Sequence, residues 1–331
     1  MSTRLQLSLA CEDYDRTRAL LDGSVRPEGI SLTVLVLQVE ETFFRMLRHR
    51  EFDVSELSLA SYAISLSRDD PPFVAIPAFP SRSFRHQGVF VNAAAGIAEP
   101  DDLRGRTVGV PEWQLTAGVW IRGLLADDYG VPLDSVRYRT GGIERPGRSE
   151  KLAVDVPAGV DIAPLEAGVT LSDALADGRI DALYTPRAPS SFLRGDPRVR
   201  RLWPDVRAEE AAWFARTGIF PIMHVVALRR DVYERHRWVA QSLYKAFVQA
   251  RDLAYAKLRE TAALSYMLPW LPVELERTRQ LLGADYWSYG LEPNRAQLDT
   301  FLRYHHEQGL SRRRLTPDEL FVPETLEAVV V

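Results

Sequence analysis

Apolar and polar residues alternate with different periods along the first sixty-odd residues. In residues 4–10, Leu5, Leu7 and Leu9 alternate with polar residues, which predicts a strand with one buried face. The apolar run 30–37 predicts a second strand, and residues 40–52 have the period of an amphipathic helix. Residues 52–68 predict a short strand that leads into another helix. Strands therefore alternate with helices, which indicates an α/β protein.

Acidic residues follow the first and third of these strands. We expect a short helix before Gly23, capped by Asp13 or Asp15. Ligands of open α/β sheets bind where strands end, so Asp13 is also a candidate ligand contact. Glu56 has two interpretations: it caps the helix that follows, together with Ser55 and Ser58, or it acts as an acid or base facing the first loop.

A basic loop interrupts two apolar strands in residues 79–92. Arg82, Arg85 and His86 lie in it, at a junction between loop and strand. Two guanidinium groups suit an anionic ligand, because each offers a planar fork of donors that matches a carboxylate. The alternative interpretation is a solvated basic loop with a structural histidine.

A second α/β segment begins after Asn92, where small and acidic residues indicate a linker. Residues 107–112 predict a strand and 114–131 an amphipathic helix. The first turn of a helix favours anions, so Trp113, Gln114 and Thr116 are candidates to hold a carboxylate or phosphate. Alternatively, Thr116 only caps the helix and Trp113 packs.

The middle of the chain contains a glycine-, proline- and charge-rich stretch, residues 134–164, for which we expect a strand and a mobile loop with solvated basic residues. Residues 171–186 then predict a short helix and a strand that ends at Tyr184. Tyr184 and Arg187 are candidate ligand contacts because they lie at the carboxyl end of that strand. His224 lies near the start of a later strand, 222–228.

The last hundred residues are mainly helical and are predicted to serve packing rather than chemistry. Their longest amphipathic stretch is 238–258. His305 and His306 are neighbours on a late helix, where side chains point about 100° apart, so we expect them on the surface without a shared metal.

Composition sets limits on the kind of protein. The chain has 331 residues, 46% hydrophobic and 26% charged, which allows two compact domains. The net charge of −4 gives no overall attraction to nucleic acid or to an anionic membrane. Cys11 is the single cysteine, so no internal disulfide forms. We expect a cytoplasmic protein, because charge at Glu12 and Asp13 interrupts any signal-type apolar run.

Several common motifs do not occur in the sequence, namely the dinucleotide G-x-G-x-x-G, the P-loop, H-E-x-x-H, G-x-S-x-G and any Cys/His cluster with metal spacing. The remaining candidates are several cations and two histidines in turns and at strand starts, together with Glu56. This set fits binding of a polycarboxylate and proton transfer better than nucleophilic catalysis. Its members are Arg82, Arg85, His86, Arg187, His224 and Glu56.

The order of these elements resembles the 4,5-dihydroxyphthalate decarboxylases over nearly the whole chain. The matching segments are FDVSELSLASYAISL (52–66), PSRSFRHQGVFVN (80–92), DLRGRTVGVPEW (102–113), ALADGRIDALYTP (174–186) and GIFPIMHVVALRRDV (218–232). The second and last of these are the most specific. The resemblance implies an α/β, two-lobed fold similar to type II periplasmic binding proteins, with mixed sheets flanked by helices and a ligand cleft between the lobes. We expect lobe I to comprise 1–105 and 220–331, and lobe II 106–219.

The resemblance also implies decarboxylation without an organic cofactor, by a carboxy-lyase acting on a small aromatic dicarboxylate. A hydroxyl para to the departing carboxylate pushes electrons to the ring carbon, which must be protonated before carbon dioxide leaves. His86 or His224 is expected to give the proton, with Glu56 orienting a histidine or polarising the phenol. Arg82, Arg85 and Arg187 are expected to fix the carboxylates. A divalent ion that holds the catechol and a homo-oligomeric state remain open.

Two other functions are compatible with the same sequence. One is a leaderless solute-binding protein that closes on a small aromatic or carboxylate ligand without chemistry, and the other is an enzyme of this fold acting on a different small acid. Fold alone does not separate these functions. The two histidines favour the enzyme, because titratable groups in a ligand site are typical of catalysis.

Overall fold

The computed structural model describes residues 4–326. Contacts divide the chain into two units: the first holds the chain up to Arg82, Ile222–Asp299 and the chain from Leu315, and the second holds Ser83–Pro221 and Thr300–Arg314. The predicted lobes placed 83–105, 220–221 and 300–314 in lobe I, whereas these contacts group them with the second unit. The ends of predicted lobe I, 1–3 and 327–331, lie outside the described residues.

The strands are β1 (Leu5–Cys11), β2 (Ile30–Val36), β3 (Val54–Ser58), β4 (Phe73–Ile76), β5 (Val89–Asn92), β6 (Thr107–Val110), β7 (Arg137–Thr140), β8 (Asp161–Pro164), β9 (Ala182–Tyr184), β10 (Val199–Arg201) and β11 (His224–Arg229). The α-helices are α1 (Arg18–Leu21), α2 (Val39–His49), α3 (Leu59–Leu66), α4 (Thr116–Tyr129), α5 (Leu171–Ala176), α6 (Ser190–Leu193), α7 (Val206–Thr217), α8 (Arg230–Arg235), α9 (Trp238–Arg259), α10 (Leu271–Leu282) and α11 (Arg295–Glu307).

The first unit is built on a mixed sheet with the strand order β2-β1-β3-β11-β4. β1 is parallel to β2 and β3, while β11 returns from a distant part of the chain and pairs antiparallel with β3 and β4. Every residue of β3 is buried. The start of β11 therefore meets the carboxyl ends of β1 and β3 at one edge of the sheet.

The second unit contains a mixed sheet with the order β10-β5-β9-β6-β7-β8. β6, β7, β8 and β9 are parallel, and β5 pairs antiparallel with β9 and β10. The α5 face that packs against this sheet is apolar: Leu171 and Leu175 lie in a buried cluster with Phe90, Ile180 and Leu183. Each unit thus forms its own core around a mixed sheet.

Local periodicity predicted several elements correctly because their buried faces follow from neighbouring residues. The strands at 4–10, 30–37 and 52–58 are β1, β2 and β3, and the long amphipathic helix is α9. Ser58 is the N-cap of α3 and accepts a hydrogen bond from the Ser61 backbone N–H at 3.4 Å. The cap predicted for α1 is wrong: Thr17 holds the N-cap position, and Asp13 pairs instead with Arg18 at 2.9 Å.

The surface position predicted for both late histidines is wrong for His305. Its side chain is buried, with Nδ1 3.2 Å from Ser311 Oγ, whereas His306 is exposed. Helix α11, which carries both histidines, packs closely on α4 at Gly123. A Cβ at that glycine would fall 2.1 Å from the Tyr304 ring. This close packing buries the face of α11 that carries His305.

Within residues 4–326, no helix is both long enough and apolar enough to cross a membrane.

Candidate functional site

Glu56 and His224 form a hydrogen-bonded pair near the end of the first unit's sheet where β3 finishes and β11 begins. The β3–β11 register places His224 opposite Ser58, two residues from Glu56, so both side chains leave the same face of the sheet. His224 Nδ1 lies 2.6 Å from Glu56 Oε1. The structure thus brings together two of the three predicted catalytic residues.

Glu56 is fully buried, at 0% exposure, and its carboxylate accepts hydrogen bonds from two groups of the first loop. Tyr14 donates its hydroxyl proton to Oε1 at 2.9 Å, and the Glu12 backbone N–H donates to Oε2 at 3.3 Å. A buried carboxylate with this many donors is an acceptor and not a helix cap. The capping interpretation of Glu56 is therefore wrong.

The hydrogen bond to Glu56 determines which nitrogen of His224 reaches the surroundings. Nδ1–H donates to the carboxylate, which leaves Nε2 as the nitrogen that can exchange a proton. The side chain is 16% exposed. Phe43 lies edge-on to the imidazole, with ring centroids 4.8 Å apart, and restricts its rotation. This arrangement matches a carboxylate-oriented general acid or base.

The Cys11 thiol and the Tyr14 phenol beside this pair stay protonated. Burial, reinforced by Glu56, raises the pKa of the Cys11 thiol far above its usual value. The same two causes raise the pKa of Tyr14, so its phenol remains a hydrogen-bond donor. Cys11 is thus a buried thiol and not a nucleophile.

Arg16 and Trp287 hold Tyr14 in place. The Arg16 guanidinium lies 4.1 Å from the Tyr14 ring centroid and 4.2 Å from that of Trp287. Its Nε donates to the Pro80 carbonyl at 2.5 Å. None of these residues belonged to the predicted site, although Tyr14 follows directly on the acidic residues of the first loop.

Two further candidates in the first unit have partners within the chain. Asp13 forms a half-exposed ion pair with Arg18. Arg82 is buried, and burial lowers its pKa to about 9, a value at which it still carries its charge at neutral pH. Its guanidinium donates to Gln297 Oε1 at 3.2 Å, Ser288 O at 2.6 Å and Asn294 Oδ1 at 2.5 Å. These acceptors occupy donors that we predicted for a substrate carboxylate.

In the second unit, the turn that precedes α4 holds a carboxylate of the chain itself. The backbone N–H of Trp113 donates to Glu150, the backbone N–H of Gln114 donates to Glu150 Oε2 at 3.4 Å, and Gln114 Nε2 donates to the same oxygen at 2.8 Å. Leu115 is the N-cap, so Thr116 is the first helical residue and does not cap the helix. Two of the three residues predicted to hold an anion thus bind the Glu150 carboxylate, and a ligand at this position stays a prediction.

The loop that carries Glu150 is attached a second time through Glu112. This glutamate is 2% exposed and accepts hydrogen bonds from Arg148 Nε at 2.5 Å and Lys151 Nζ at 2.6 Å. The prediction of solvated basic residues is wrong for Lys151, whose side chain is 8% exposed. Lys151 is buried because it pairs with the buried Glu112 carboxylate.

Arg187 lies beside the same loop. It is exposed and lines a cavity of about 430 Å³. The lining residues are Gly142, Ile143, Glu144, Arg145, Pro146, Gly147, Arg148, Arg187 and Ala188. Arg187, Arg145 and Arg148 give this cavity a cationic wall.

Trp113 and Tyr184 belong to one aromatic group within the second unit. Their rings both pack against Tyr138, with centroid distances of 5.1 Å and 6.5 Å. The Arg122 guanidinium stacks 3.9 Å from the Trp113 ring centroid, and its Nη2 donates to the Trp113 carbonyl at 2.6 Å. Burial raises the pKa of the Tyr184 phenol. Trp113 therefore packs, as in the alternative interpretation, while its backbone N–H binds the Glu150 carboxylate.

His86 lies in an aromatic cage away from solvent. It is 0% exposed, with its ring centroid 4.9 Å from that of Trp203 and 5.5 Å from that of Trp213. Its Nε2 is 2.9 Å from Tyr129 OH, which itself donates to Glu209, so Nε2 carries the proton. Burial lowers the pKa of His86 to about 4. His86 is therefore neutral at physiological pH.

Arg85 is buried next to Glu210 in the second unit. Burial lowers the pKa of Arg85 to about 10 and raises that of Glu210 to about 7, although Arg85 opposes the second shift. Glu210 Oε1 also accepts the Gln87 backbone N–H at 3.1 Å. The basic loop is thus a set of buried residues and not a solvated surface loop.

No group of three or more His, Cys, Asp or Glu side chains within residues 4–326 is arranged to hold a metal ion.

The architecture of the two units is that of the periplasmic binding proteins. A sulfonate-binding protein SsuA from Methylobacillus flagellatus matches with a TM-score of 0.55 and 15% identity, over 98% of this chain and 93% of that chain. The Escherichia coli SsuA matches with a TM-score of 0.54 and 13% identity, over 96% and 97%. The desulfurization enzyme DSZB has a TM-score of 0.51 and 15% identity over 98% of both chains. These likenesses establish the fold.

The amino-acid sequence narrows the class to one family. A 4,5-dihydroxyphthalate decarboxylase from Comamonas testosteroni is 43% identical over 326 residues, which is 98% of this chain and 99% of the relative. A Pseudomonas putida protein of the same name is 41% identical over 211 residues, or 64% and 82% of the two chains. No protein-family model matches. The chain belongs to the 4,5-dihydroxyphthalate decarboxylase family, as the sequence resemblance predicted.

Proposed function

We propose that this protein decarboxylates a hydroxylated aromatic dicarboxylate such as 4,5-dihydroxyphthalate, giving protocatechuate and carbon dioxide, with His224 as the proton donor. Two relatives that match it carry the name of this activity. The structural observation that carries the assignment is the 2.6 Å contact between His224 Nδ1 and Glu56 Oε1. It leaves Nε2 available for proton transfer.

The reaction consumes one proton per turnover. The imidazolium form of His224 gives its Nε2 proton to the ring carbon that bears the carboxylate, while the para hydroxyl releases its own proton and supplies electron density. The bond between ring and carboxylate then breaks, its electron pair restores the aromatic ring, and carbon dioxide leaves. The oxygen recovers its proton, and His224 is recharged from water.

Glu56 has two tasks in this scheme. It holds Nδ1–H, which fixes the tautomer and the orientation of His224, and its charge stabilises the imidazolium before the proton is transferred. Its own lone pairs are occupied by Tyr14 and Glu12. Glu56 is therefore a positioning residue rather than the acid.

His86 is a weaker candidate for the same role. Its low pKa, about 4, keeps it uncharged at neutral pH, and its one bound proton points at Tyr129. An acid that carries no transferable proton at working pH contributes little to ring protonation. The choice that the sequence left open between the two histidines therefore falls on His224.

Binding of the substrate carboxylates remains a prediction. We propose that the α4 N-terminus, with the backbone N–H groups of Trp113 and Gln114, accepts a carboxylate in place of Glu150. Arg187, which is exposed on the cationic cavity wall, is the arginine that we expect to contribute next. The cytoplasmic location and a homo-oligomeric state also stay predictions from the sequence.

Substitution of the two histidines tests the assignment. We expect His224→Gln to lower kcat by at least 10²-fold while the dissociation constant for 4,5-dihydroxyphthalate changes little, because general acid catalysis typically contributes about 10²- to 10⁴-fold. Glu56→Gln should lower kcat less. His86→Gln is the matched control, because glutamine keeps an N–H donor toward Tyr129.

Turnover by initial rates and binding by titration calorimetry distinguish the outcomes. A His86→Gln enzyme that loses turnover while His224→Gln keeps it would transfer the role to His86. Binding without turnover in the unmodified protein would instead favour a solute-binding function.

A further inference from the structure

We propose that Tyr14 is a positioning residue that sets the charge state of the Glu56–His224 pair. This inference rests on the function proposed above. Its geometric basis is that the Tyr14 hydroxyl and His224 Nδ1 share one oxygen, Glu56 Oε1, at 2.9 Å and 2.6 Å. Tyr14 therefore competes with His224 for the charge of a single carboxylate oxygen.

The donors around Glu56 suit a carboxylate that accepts from each of them. The Glu12 backbone N–H on Oε2 can only donate. Oε1 receives the Tyr14 hydroxyl, whose raised pKa keeps its proton in place. In the arrangement that we propose, Glu56 also accepts the His224 Nδ1–H, and Nε2 delivers the reactive proton.

Tyr14 is held rigidly enough to act in this way. Its backbone N–H donates to Thr17 Oγ1 at 3.1 Å, and its ring is covered by the Arg16 guanidinium at 4.1 Å. Arg16 is anchored in turn on Trp287 and the Pro80 carbonyl. These contacts fix the hydroxyl on Glu56, so Tyr14 acts through the carboxylate and not on the substrate.

The hydrogen bond from Tyr14 makes His224 a better acid. By withdrawing charge from Oε1, the phenol weakens the attraction of Glu56 for the imidazolium. Without the hydroxyl, the imidazolium persists to higher pH and gives up its proton less readily. The charged or titratable groups that face the pair are Cys11, Glu12, Asp13 and Arg16 around β1 and its loop, whereas α2 contributes the uncharged Phe43.

Tyr14→Phe is the direct test. We expect kcat to fall about tenfold with little change in KM, as for loss of one charge-assisted hydrogen bond. The alkaline limb of the pH–rate profile should move upward by about half a pH unit to one unit. The control is Tyr233→Phe, which removes a similar tyrosine–carboxylate bond, 2.8 Å from Glu324, elsewhere in the same unit.

A second measurement separates a specific effect from a folding defect. Replacing Tyr14 with 3-fluorotyrosine gives a more acidic phenol and a stronger hydrogen bond, so the alkaline limb should move downward. Imidazole ¹⁵N shifts in histidine-labelled protein, assigned with His224→Gln, should report the same two opposite displacements. Thermal melting of each variant verifies that it is folded.

The results decide between three accounts. Opposite displacements in the phenylalanine and fluorotyrosine variants, with Tyr233→Phe unchanged, support the proposal. A lower kcat without displacement of the profile or of the ¹⁵N shifts would overturn it, as would a Tyr14→Phe enzyme with unaltered kcat. If His224→Gln keeps full turnover, the proposed function itself fails, whatever Tyr14 does.

Discussion

Two histidines of this chain show how strongly surroundings determine what a residue can do. His224 has its Nδ1 on the buried Glu56 carboxylate and its Nε2 available. His86 is enclosed by aromatic rings, with its pKa lowered to about 4 by burial. The first arrangement leaves a ring nitrogen able to exchange a proton, and the second keeps the imidazole neutral. We therefore propose His224 as the proton donor.

Because His86 is buried and neutral, we expect it to make the free energy of unfolding depend on pH. Its pKa is about 4 in the folded state against about 6.5 when unfolded, so the unfolded chain binds the proton first as pH falls. Its contribution to the free energy of unfolding is fully present above pH 6.5 and is smaller by about 2 kcal/mol at pH 5. Glu210, with its pKa raised to about 7, acts in the opposite direction, because the folded state binds its proton more tightly.

The His86 term is isolated by comparison with His86→Gln. Urea unfolding at pH 7.5 and pH 5 gives the change in unfolding free energy for each protein. From pH 7.5 to pH 5, we expect the unfolding free energy of the wild-type protein to fall by about 2 kcal/mol more than that of His86→Gln. Equal changes in the two proteins would mean that His86 is charged or solvent-accessible in the folded state.

At the scale of elements, we assign the proposed chemistry to the carboxyl ends of the first unit's strands and the proposed carboxylate binding to the turn before α4. The site at the sheet edge follows from register, because β11 pairs antiparallel with β3 and places His224 diagonally to Glu56. The sequence predicted both residues, but the pairing depends on strands about 168 positions apart. Periodicity indicates a strand and not its neighbour, so it could not predict this contact, and only the family resemblance implied that Glu56 orients one of the two histidines.

For the loop after β7, the prediction from local sequence was wrong. Its basic residues were predicted to be solvated because glycine, proline and charge are typical of exposed loops. Glu112, however, lies 36 and 39 positions before its partners Arg148 and Lys151, beyond the range of any local pattern. The binding of the Glu150 carboxylate by the turn before α4 was missed for the same reason.

We expect removal of the Glu150 carboxylate to change the affinity for ligands. If a substrate carboxylate takes the place of Glu150, Glu150→Ala frees the Trp113 and Gln114 donors and should lower the dissociation constant for phthalate-type diacids about three- to tenfold. Titration calorimetry measures this. Glu166→Ala is the control, because that glutamate is largely exposed and pairs only with Arg179. Unaltered or weaker binding by Glu150→Ala would contradict a carboxylate site at α4.

At the scale of the whole molecule, the order of elements identified the family before any side-chain contact was known. Local periodicity predicted β1, β2, β3 and α9, and the resemblance to the decarboxylases is confirmed by 43% identity over 98% of the chain. Assignment of 300–314 to the second unit could not be predicted. The contacts that join them are between residues far apart in the chain, among them the close approach of the Tyr304 ring to Gly123.

The fold serves proteins of more than one kind, since both sulfonate-binding proteins and a desulfurization enzyme share it at 13–15% identity. Function therefore resides in particular side chains. We propose that here these are the buried Glu56 and the His224 hydrogen-bonded to it, and that this pair performs decarboxylation with no organic cofactor.

The measurement that tests this claim most directly is carbon dioxide release from 4,5-dihydroxyphthalate by the purified protein, before and after treatment with a chelator. The ultraviolet spectrum of the product is recorded in the same samples. We predict stoichiometric carbon dioxide and protocatechuate, at a rate that chelation leaves unchanged. A thermal shift with aromatic diacids but no carbon dioxide would contradict the account, whereas turnover that disappears with the chelator and returns with added metal would show that a divalent ion takes part.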